Sequence, residues 1–198
     1  DGTPYSYESS SRKSLEAYRT ELLMNRKRQQ AALASTENKL ESCAAPANSD
    51  VSAITCDAVC MVPKLPDGSY LMIREFRYPL NALCLAFPAG LIDQGETLEQ
   101  AVDRELREET GFCIRQSAVT PLRALAQPGF SSTGMSDESV QVVFVQVEKA
   151  EDAHPESSEI IEPFIVQPSE IRTLLNDKAY LIGTRTQLIL ELLAQQAS

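Results

Sequence analysis

The sequence predicts a mixed α/β or α+β arrangement, on three observations: a set of short segments with strand-like alternation, one strongly marked helix in their midst, and two helical stretches that close the chain. Its 198 residues suffice for one ordinary domain with an appendage. Apolar residues make up 43% and charged residues 23%, a globular balance. No apolar run approaches the roughly 18 residues that a membrane-spanning helix needs.

"YSYESSS" at 5–11 alternates aromatic and polar side chains and reads as a short strand. From Ser14 to about Leu40, Leu15, Tyr18, Leu22, Leu33 and Leu40 recur at roughly helical spacing around "RKRQQ". This predicts an amphipathic helix or helical hairpin, packed on its own domain or against a partner helix. "ESCAAPANSD" at 41–50 has no periodicity and reads as a linker, so residues 1–50 form a strand-and-helix extension and residues 51–198 the main domain. "ITCDAVCMV" and "SYLMIREF" flank the turn signal Pro66-Asp67-Gly68 and predict a β-hairpin. "LCLAF" is a further strand. Thr97 and Gln100 form a capping-box pattern ahead of Leu98, Ala101, Val102 and Leu106, and Gly111 suits a helix end, so a helix is expected over about 98–110. "IRQSAVTPLRALAQP" supplies one or two short strands, "SVQVVFVQVEKA" a strong alternating one and "PFIVQ" another. Helices are expected over about 168–176 and 183–195.

The net charge of −10 argues against nucleic acid or an anionic membrane as partner, since both attract clustered Lys and Arg. Five cysteines without a CxxC pair suggest neither a disulfide scaffold nor a zinc site; buried, reduced thiols in a cytosol are expected. The sequence opens at Asp1 with no charged-then-apolar leader, so no secretory signal is expected. His154 is the only histidine, which disfavours a Ser-His-Asp triad, a Cys-His dyad or a histidine-rich zinc site. Any acid-base groups and metal ligands are then carboxylates.

Carboxylates are concentrated in "GLIDQGETLEQAVDRELREETGF", residues 90–112, which holds seven of the 28 acidic residues. On a helix Glu105 and Glu109 share one face, with Glu108 offset by one residue, and like charges so stacked repel. Neighbouring Arg104 and Arg107 offset that repulsion, or a bound cation does; an Arg-Glu-laced solvated face and a cation site both stay open on charge alone. The spacing is more selective. Gly90, Glu96, Arg104, Glu105, Leu106, Glu108, Glu109 and Gly111 obey G-x5-E-x7-R-E-U-x-E-E-x-G, with U a bulky aliphatic. At average residue frequencies, a chance match is on the order of one in ten million.

This pattern resembles the signature of the Nudix hydrolases, which cleave a diphosphate linked to another moiety; only Phe112 departs from it, where an aliphatic residue is usual, and only local repacking is expected. The resemblance implies the Nudix fold, an α/β/α architecture with mixed β-sheets sandwiched between helices, here carrying an N-terminal strand-helix extension. Bringing water to a phosphorus ringed by negative oxygens calls for divalent cations, and magnesium prefers oxygen ligands. The resemblance carries metal binding onto Glu105 and Glu109, with Glu108 in the same cluster and the Ala89 carbonyl as backbone ligand. It makes Arg104 the residue that holds the carboxylates, places Arg104 and Glu108 in the catalytic set, and gives Glu96 the support of the loop. The implied cofactor is Mg²⁺, with Mn²⁺ as alternative.

The flanks narrow the resemblance. "REFRYPLNALCLAFPAGLIDQGET", Pro128 and the following "GFS" are similar to the ADP-ribose pyrophosphatase subgroup, over about residues 54–195. "YESSSR" at 7–12 resembles the subgroup's strand that crosses to the partner subunit. Carried over, Tyr7 stacks on adenine, Glu8 accepts from its amino group, and Arg12 and Arg77 meet phosphates, roles suited to an aromatic face and to guanidinium forks. Ordinary strand packing for Tyr7 and a surface charge for Arg77 are the plain alternatives. The catalytic base of the subgroup falls on "EDAHPESSEIIEPF" at Glu159, with Glu156 and Glu162 as rivals. Departures are Ala86 for a frequent Glu, Tyr7 for Trp, and residues 13–50, which have no counterpart. The implied activity is Mg-dependent hydrolysis of ADP-ribose to AMP and ribose 5-phosphate by a cytoplasmic homodimer, with a small nucleoside diphosphate sugar as its partner and neither nucleic acid nor membrane. The alternatives are another diphosphatase, such as one for GDP-mannose, and a non-catalytic module that senses ADP-ribose.

Overall fold

The computed structural model describes residues 14, 16, 19, 20, 23, 24, 27, 56–150, 153–155 and 160–196. The chain divides into two compact units, Asp1–Thr55 with Phe130–Ser139, and Cys56–Gly129 with Val140–Ser198. In the first, Glu16, Arg19, Thr20, Leu23, Met24 and Lys27 are helical and exposed, as the spacing predicts for a helix in this stretch. A turn is closed there by Ser131, whose N–H donates to the Glu138 carbonyl at 3.0 Å and whose hydroxyl donates to the Glu138 carboxylate at 2.7 Å. The strand expected at 5–11 and the linker at 41–50 lie outside the described residues.

The second unit contains the strands β1 (Ala58–Lys64), β2 (Tyr70–Arg77), β3 (Ala82–Ala86) and β4 (Ala89–Leu91), then helix α1 (Leu98–Thr110). Strands β5 (Phe112–Ile114), β6 (Leu122–Ala124), β7 (Gly129–Phe130), β8 (Ser139–Lys149) and β9 (Ile161–Val166) follow, with Phe130 of β7 and Ser139 of β8 counted in the first unit, and α2 (Ile171–Asn176), β10 (Leu181–Ile182) and α3 (Thr184–Gln196) close it. The sheet order is β10-β3-β2-β1-β8-β5. The hairpin predicted at Pro66-Asp67-Gly68 forms, with Gly68 at φ 91° and Asp67 accepting from the Ser69 N–H and hydroxyl. That φ is one that glycine adopts without a steric penalty.

The hairpin does not stay closed, and this creates the room for the site. β1 and β2 pair only at Lys64 and Tyr70, then splay. β2 turns to β3 and β9, whereas β1 runs parallel to β8 from Ala58 to Lys64 and takes β4 on its other edge. The segment Ala82–Leu91 therefore starts on β2 and crosses to β1, held at the crossing by the Met61 N–H, which donates to the Pro88 carbonyl at 2.8 Å. Sequence alternation assigns the two faces of β1. Ala58, Cys60 and Val62 join Leu85, Phe87, Ile171, Ile189 and Leu190 on the side of α2 and α3; Val59 and Met61 join Ala101, Val102 and Leu106 of α1 on the other. Each helix thus covers its own face of the sheets, an α/β/α sandwich.

α1 has the bounds that its sequence signals set. The Thr97 hydroxyl accepts from the Gln100 N–H at 3.2 Å, the Gln100 side chain accepts from the Thr97 N–H at 2.9 Å, and Gly111 ends the helix at φ 72°. The Asp103 carboxylate accepts from the Ile114 N–H at 2.8 Å and so fastens the helix to β5. Phe112 packs at the edge of the α1 core, as expected of an apolar replacement. The first terminal helix starts later than its sequence suggests. Pro168–Glu170 form a 3-10 turn, in which the Gln167 N–H donates to the Glu170 carboxylate at 2.8 Å, and the α-helix begins at Ile171.

Thr97→Ala removes one half of the capping box and is expected to cost about 1 kcal/mol. A urea titration should show a lowered midpoint with an unchanged slope.

Candidate active site

Gly90 faces α1 at a point where no side chain fits. A methyl group there would overlap the carboxylate of Glu105, which occupies that space. One turn further along α1, Glu109 is 3% exposed and accepts from the Ala89 N–H at 3.2 Å. Strand β4 holds both loop residues in place, because Gly90 and Ala89 are the sheet partners of Val59 and Cys60 on β1. The two carboxylates that helical spacing puts on one face are thus locked against one short strand.

Arg104 organises the rest. Its Nε and Nη2 donate to the two oxygens of Glu96 at 2.9 and 3.0 Å. Nη1 donates to Glu105 at 2.8 Å and to Glu108 at 3.0 Å, and Nη2 also donates to the Leu91 carbonyl at 2.9 Å. One guanidinium fork therefore gathers three carboxylates and one loop carbonyl, a task for which its five fixed donors suit it and a lysine is unsuited. Glu96 is fixed from its own side as well, accepting from the Asp93 N–H at 3.0 Å within a turn where Gly95 sits at φ 85°. The hydrogen bonds from Arg104 hold the Glu96 carboxyl below the usual range, and those from Glu96, Glu105 and Glu108 keep Arg104 charged.

Of the residues expected to act together, Ala89, Arg104, Glu105, Glu108 and Glu109, with Glu96, converge at this junction. Arg77 is half exposed and pairs with Glu75 at 2.7 Å. Glu162, a rival for the base, is paired across the β2–β9 ladder with Arg74 at 3.0 Å, and Arg74 also stacks on the Phe164 ring at 4.6 Å. Tyr7, Glu8, Arg12, Glu156 and Glu159 lie outside the described residues. Two features carried no sequence signal. The His154 N–H donates to the Glu108 carbonyl at 2.8 Å and the Ala150 N–H to the Gly111 carbonyl at 3.0 Å, so the chain after β8 is pinned to the last turn of α1 by backbone atoms. Burial pushes the Cys60 thiol up, and the charge of Arg185, on α3, draws it part of the way back.

Among the described residues no three Asp, Glu, His or Cys side chains stand close enough together to enclose a metal ion by themselves. The donor set nevertheless fits one. Glu105, Glu109 and the Ala89 carbonyl are oxygen donors, the kind a hard divalent cation prefers. Magnesium keeps several waters and takes one or two protein carboxylates, so two carboxylates and a carbonyl need no fourth side chain.

The sequence matches the NUDIX domain family over residues 55–183. It is 32% identical to an ADP-ribose pyrophosphatase of Saccharomyces cerevisiae over 137 residues, 65% of this chain and 58% of that one. An uncharacterised Nudix hydrolase of Schizosaccharomyces pombe is 30% identical over 146 residues, 68% of each chain. The chain thus spans little more than half the length of the first of these relatives. The crystal structure of an ADP compounds hydrolase superposes with a TM-score of 0.56 at 24% identity, covering 70% of each chain, a likeness of fold.

Two outcomes follow from this geometry. Gly90→Ala should displace Glu105, lowering stability by roughly 1–3 kcal/mol and weakening Mn²⁺ binding in a calorimetric titration. Arg104→Gln releases Glu96, whose folded pKa lies below the ordinary 4.5 because of Arg104. That contribution is complete above the ordinary value and is lost as pH falls through the lower folded one. The gap in urea midpoint between wild type and Arg104→Gln should therefore hold from pH 7 to about 5 and shrink at more acid pH.

Proposed function

The chain belongs to the NUDIX domain family, and on that premise we propose that it hydrolyses the diphosphate of ADP-ribose to AMP and ribose 5-phosphate with Mg²⁺. The observation that carries the reading is the junction of α1 with β4, where Glu105 fills the space beside Gly90 and Glu109 accepts from the Ala89 N–H. The similarity to the yeast ADP-ribose pyrophosphatase supports the choice of substrate. Glu105, Glu109 and the Ala89 carbonyl would hold the magnesium, with Glu108 beside them. Bound there, the ion neutralises charge on the diphosphate and polarises it toward attack.

The chain's own groups supply the rest. Arg104 keeps Glu105 and Glu108 in position, and the capping box and the Asp103–Ile114 bond keep α1 from shifting under its own charge. In this reading Glu159 is the base that accepts a proton from the attacking water, which requires hydrogen-bond reach. The tether of His154 to Glu108 supports that role, because it fixes the chain beside the carboxylates just ahead of residues 156–159. Tyr7 and Glu8 would hold adenine, and Arg12 and Arg77 the phosphates, with residues 7–12 contributed by a second copy in a homodimer. Arg77 is half exposed, which leaves its guanidinium open to a phosphate. A cytoplasmic setting suits thiols of which Cys60 and Cys84 are buried and none among the described residues is bridged.

Incubation with ADP-ribose and Mg²⁺ should release AMP and ribose 5-phosphate, and a chelator should abolish the release. Glu109→Gln and Glu159→Gln should each lower kcat by about 10²–10⁴-fold. Faster release of GMP from GDP-mannose would contradict the substrate, and full activity in Glu109→Gln the metal site.

A further inference from the structure

The helix of the first unit turns one face to solvent. Glu16, Arg19, Thr20, Leu23, Met24 and Lys27 are helical and exposed, Leu23 at 63% and Met24 at 58%. Their spacing of i, i+3, i+4, i+7, i+8 and i+11 keeps to one side of an α-helix, so they form a single stripe. The face that a surface helix shows to water is ordinarily polar. Here a leucine and a methionine stand near its middle, and neither belongs to the series Leu15, Tyr18 and Leu22 that sequence spacing groups as a packing side.

The order of residues along the stripe is self-complementary. An acid opens it, a base closes it, and the apolar pair lies between them with Arg19 and Thr20. A two-fold axis across the helix between Thr20 and Leu23 sets a second copy antiparallel, with Glu16 opposite the partner's Lys27, Arg19 opposite the partner's Met24 and Thr20 opposite the partner's Leu23. Both ends then carry an ion pair, and the apolar stem of Arg19 lies along a methionine. A parallel copy would set like charge on like at both ends. Within one chain Glu16 and Lys27 cannot meet, because the helical rise puts them roughly 16 Å apart. The helix dipole accounts for the signs of the two charges, but not for the exposed leucine and methionine.

We infer that this stripe is a seam between two copies of the chain, with their helices packed antiparallel about a two-fold axis. A helix pair this short covers less than the roughly 1,200 Å² that a stable interface needs, so the seam adds to other contacts between the copies. It rests on the homodimer reading above and not on the activity proposed there.

Sedimentation equilibrium of the full chain measures the dimer Kd. Leu23→Asp is expected to raise it about tenfold or more. Glu16→Lys and Lys27→Glu should each raise it about threefold to tenfold, since two-fold symmetry turns both ion pairs into repulsions at once. The Glu16→Lys/Lys27→Glu double variant should return to within about twofold of wild type. Each reversal also runs against the helix dipole, and the double variant most of all, so loss of helix alone would leave the double variant the weakest dimer. Its recovery therefore separates pairing across the seam from an effect on folding, and circular dichroism reports the helix directly. An unchanged Kd in Leu23→Asp would overturn the seam and leave a homodimer held by other contacts. A double variant no tighter than the single reversals would overturn the antiparallel pairing. A monomeric wild type would overturn both the seam and the homodimer.

Discussion

The contact of the Glu105 carboxylate with the bare backbone of Gly90 is the constraint on which the rest of the site depends. A helix can approach a strand this closely only if the facing residue has no side chain, and the approach brings Glu109 within hydrogen-bond distance of the Ala89 N–H. The opening of the β1–β2 hairpin provides the place, since β4 can lie along β1 only because β2 has left it. A local absence of side chain and a topological gap thus produce one feature, a row of oxygen donors at a fixed height along α1.

Such a row is electrostatically unfavourable in isolation, and its compensation is asymmetric. Arg104 draws Glu96, Glu105 and Glu108 together from one side, while Glu109 is buried on the other. The repulsion that would fray a free helix is instead opposed at both ends of α1, by the reciprocal Thr97–Gln100 bonds and by the left-handed Gly111. Rigid carboxylates favour a hard cation more than mobile ones would, because little has to be reorganised on binding.

How much of this could be read from the sequence varied with the range of the interaction. α1 was legible to the residue, because capping box, apolar spacing and terminal glycine are local signals that agree. Membership of Glu96, Arg104, Glu105, Glu108 and Glu109 in one cluster was legible from spacing, since all but Glu96 lie on one helix. The crossing of Ala82–Leu91 from β2 to β1 was not, because β4 has three residues and no periodicity, and its placement depends on the parallel pairing of β1 with β8 far along the chain. β10, with two residues, was invisible for the same reason. The His154 tether uses backbone atoms, which carry no residue signature. Arg77 and Glu162 illustrate the converse: each belongs to a plausible motif, and each has a partner on the strand ladder, Glu75 and Arg74, that motif reading alone does not reveal.

The proposed role of Glu105, Glu109 and the Ala89 carbonyl as one divalent-cation site can be read out directly. Crystals soaked in Mn²⁺ and measured for anomalous scattering test it most directly. A peak on the order of 2 Å from all three groups is expected. A peak confined to the outer groove lined by Asp93, Glu99 and Asp103, with none at the junction, would contradict it.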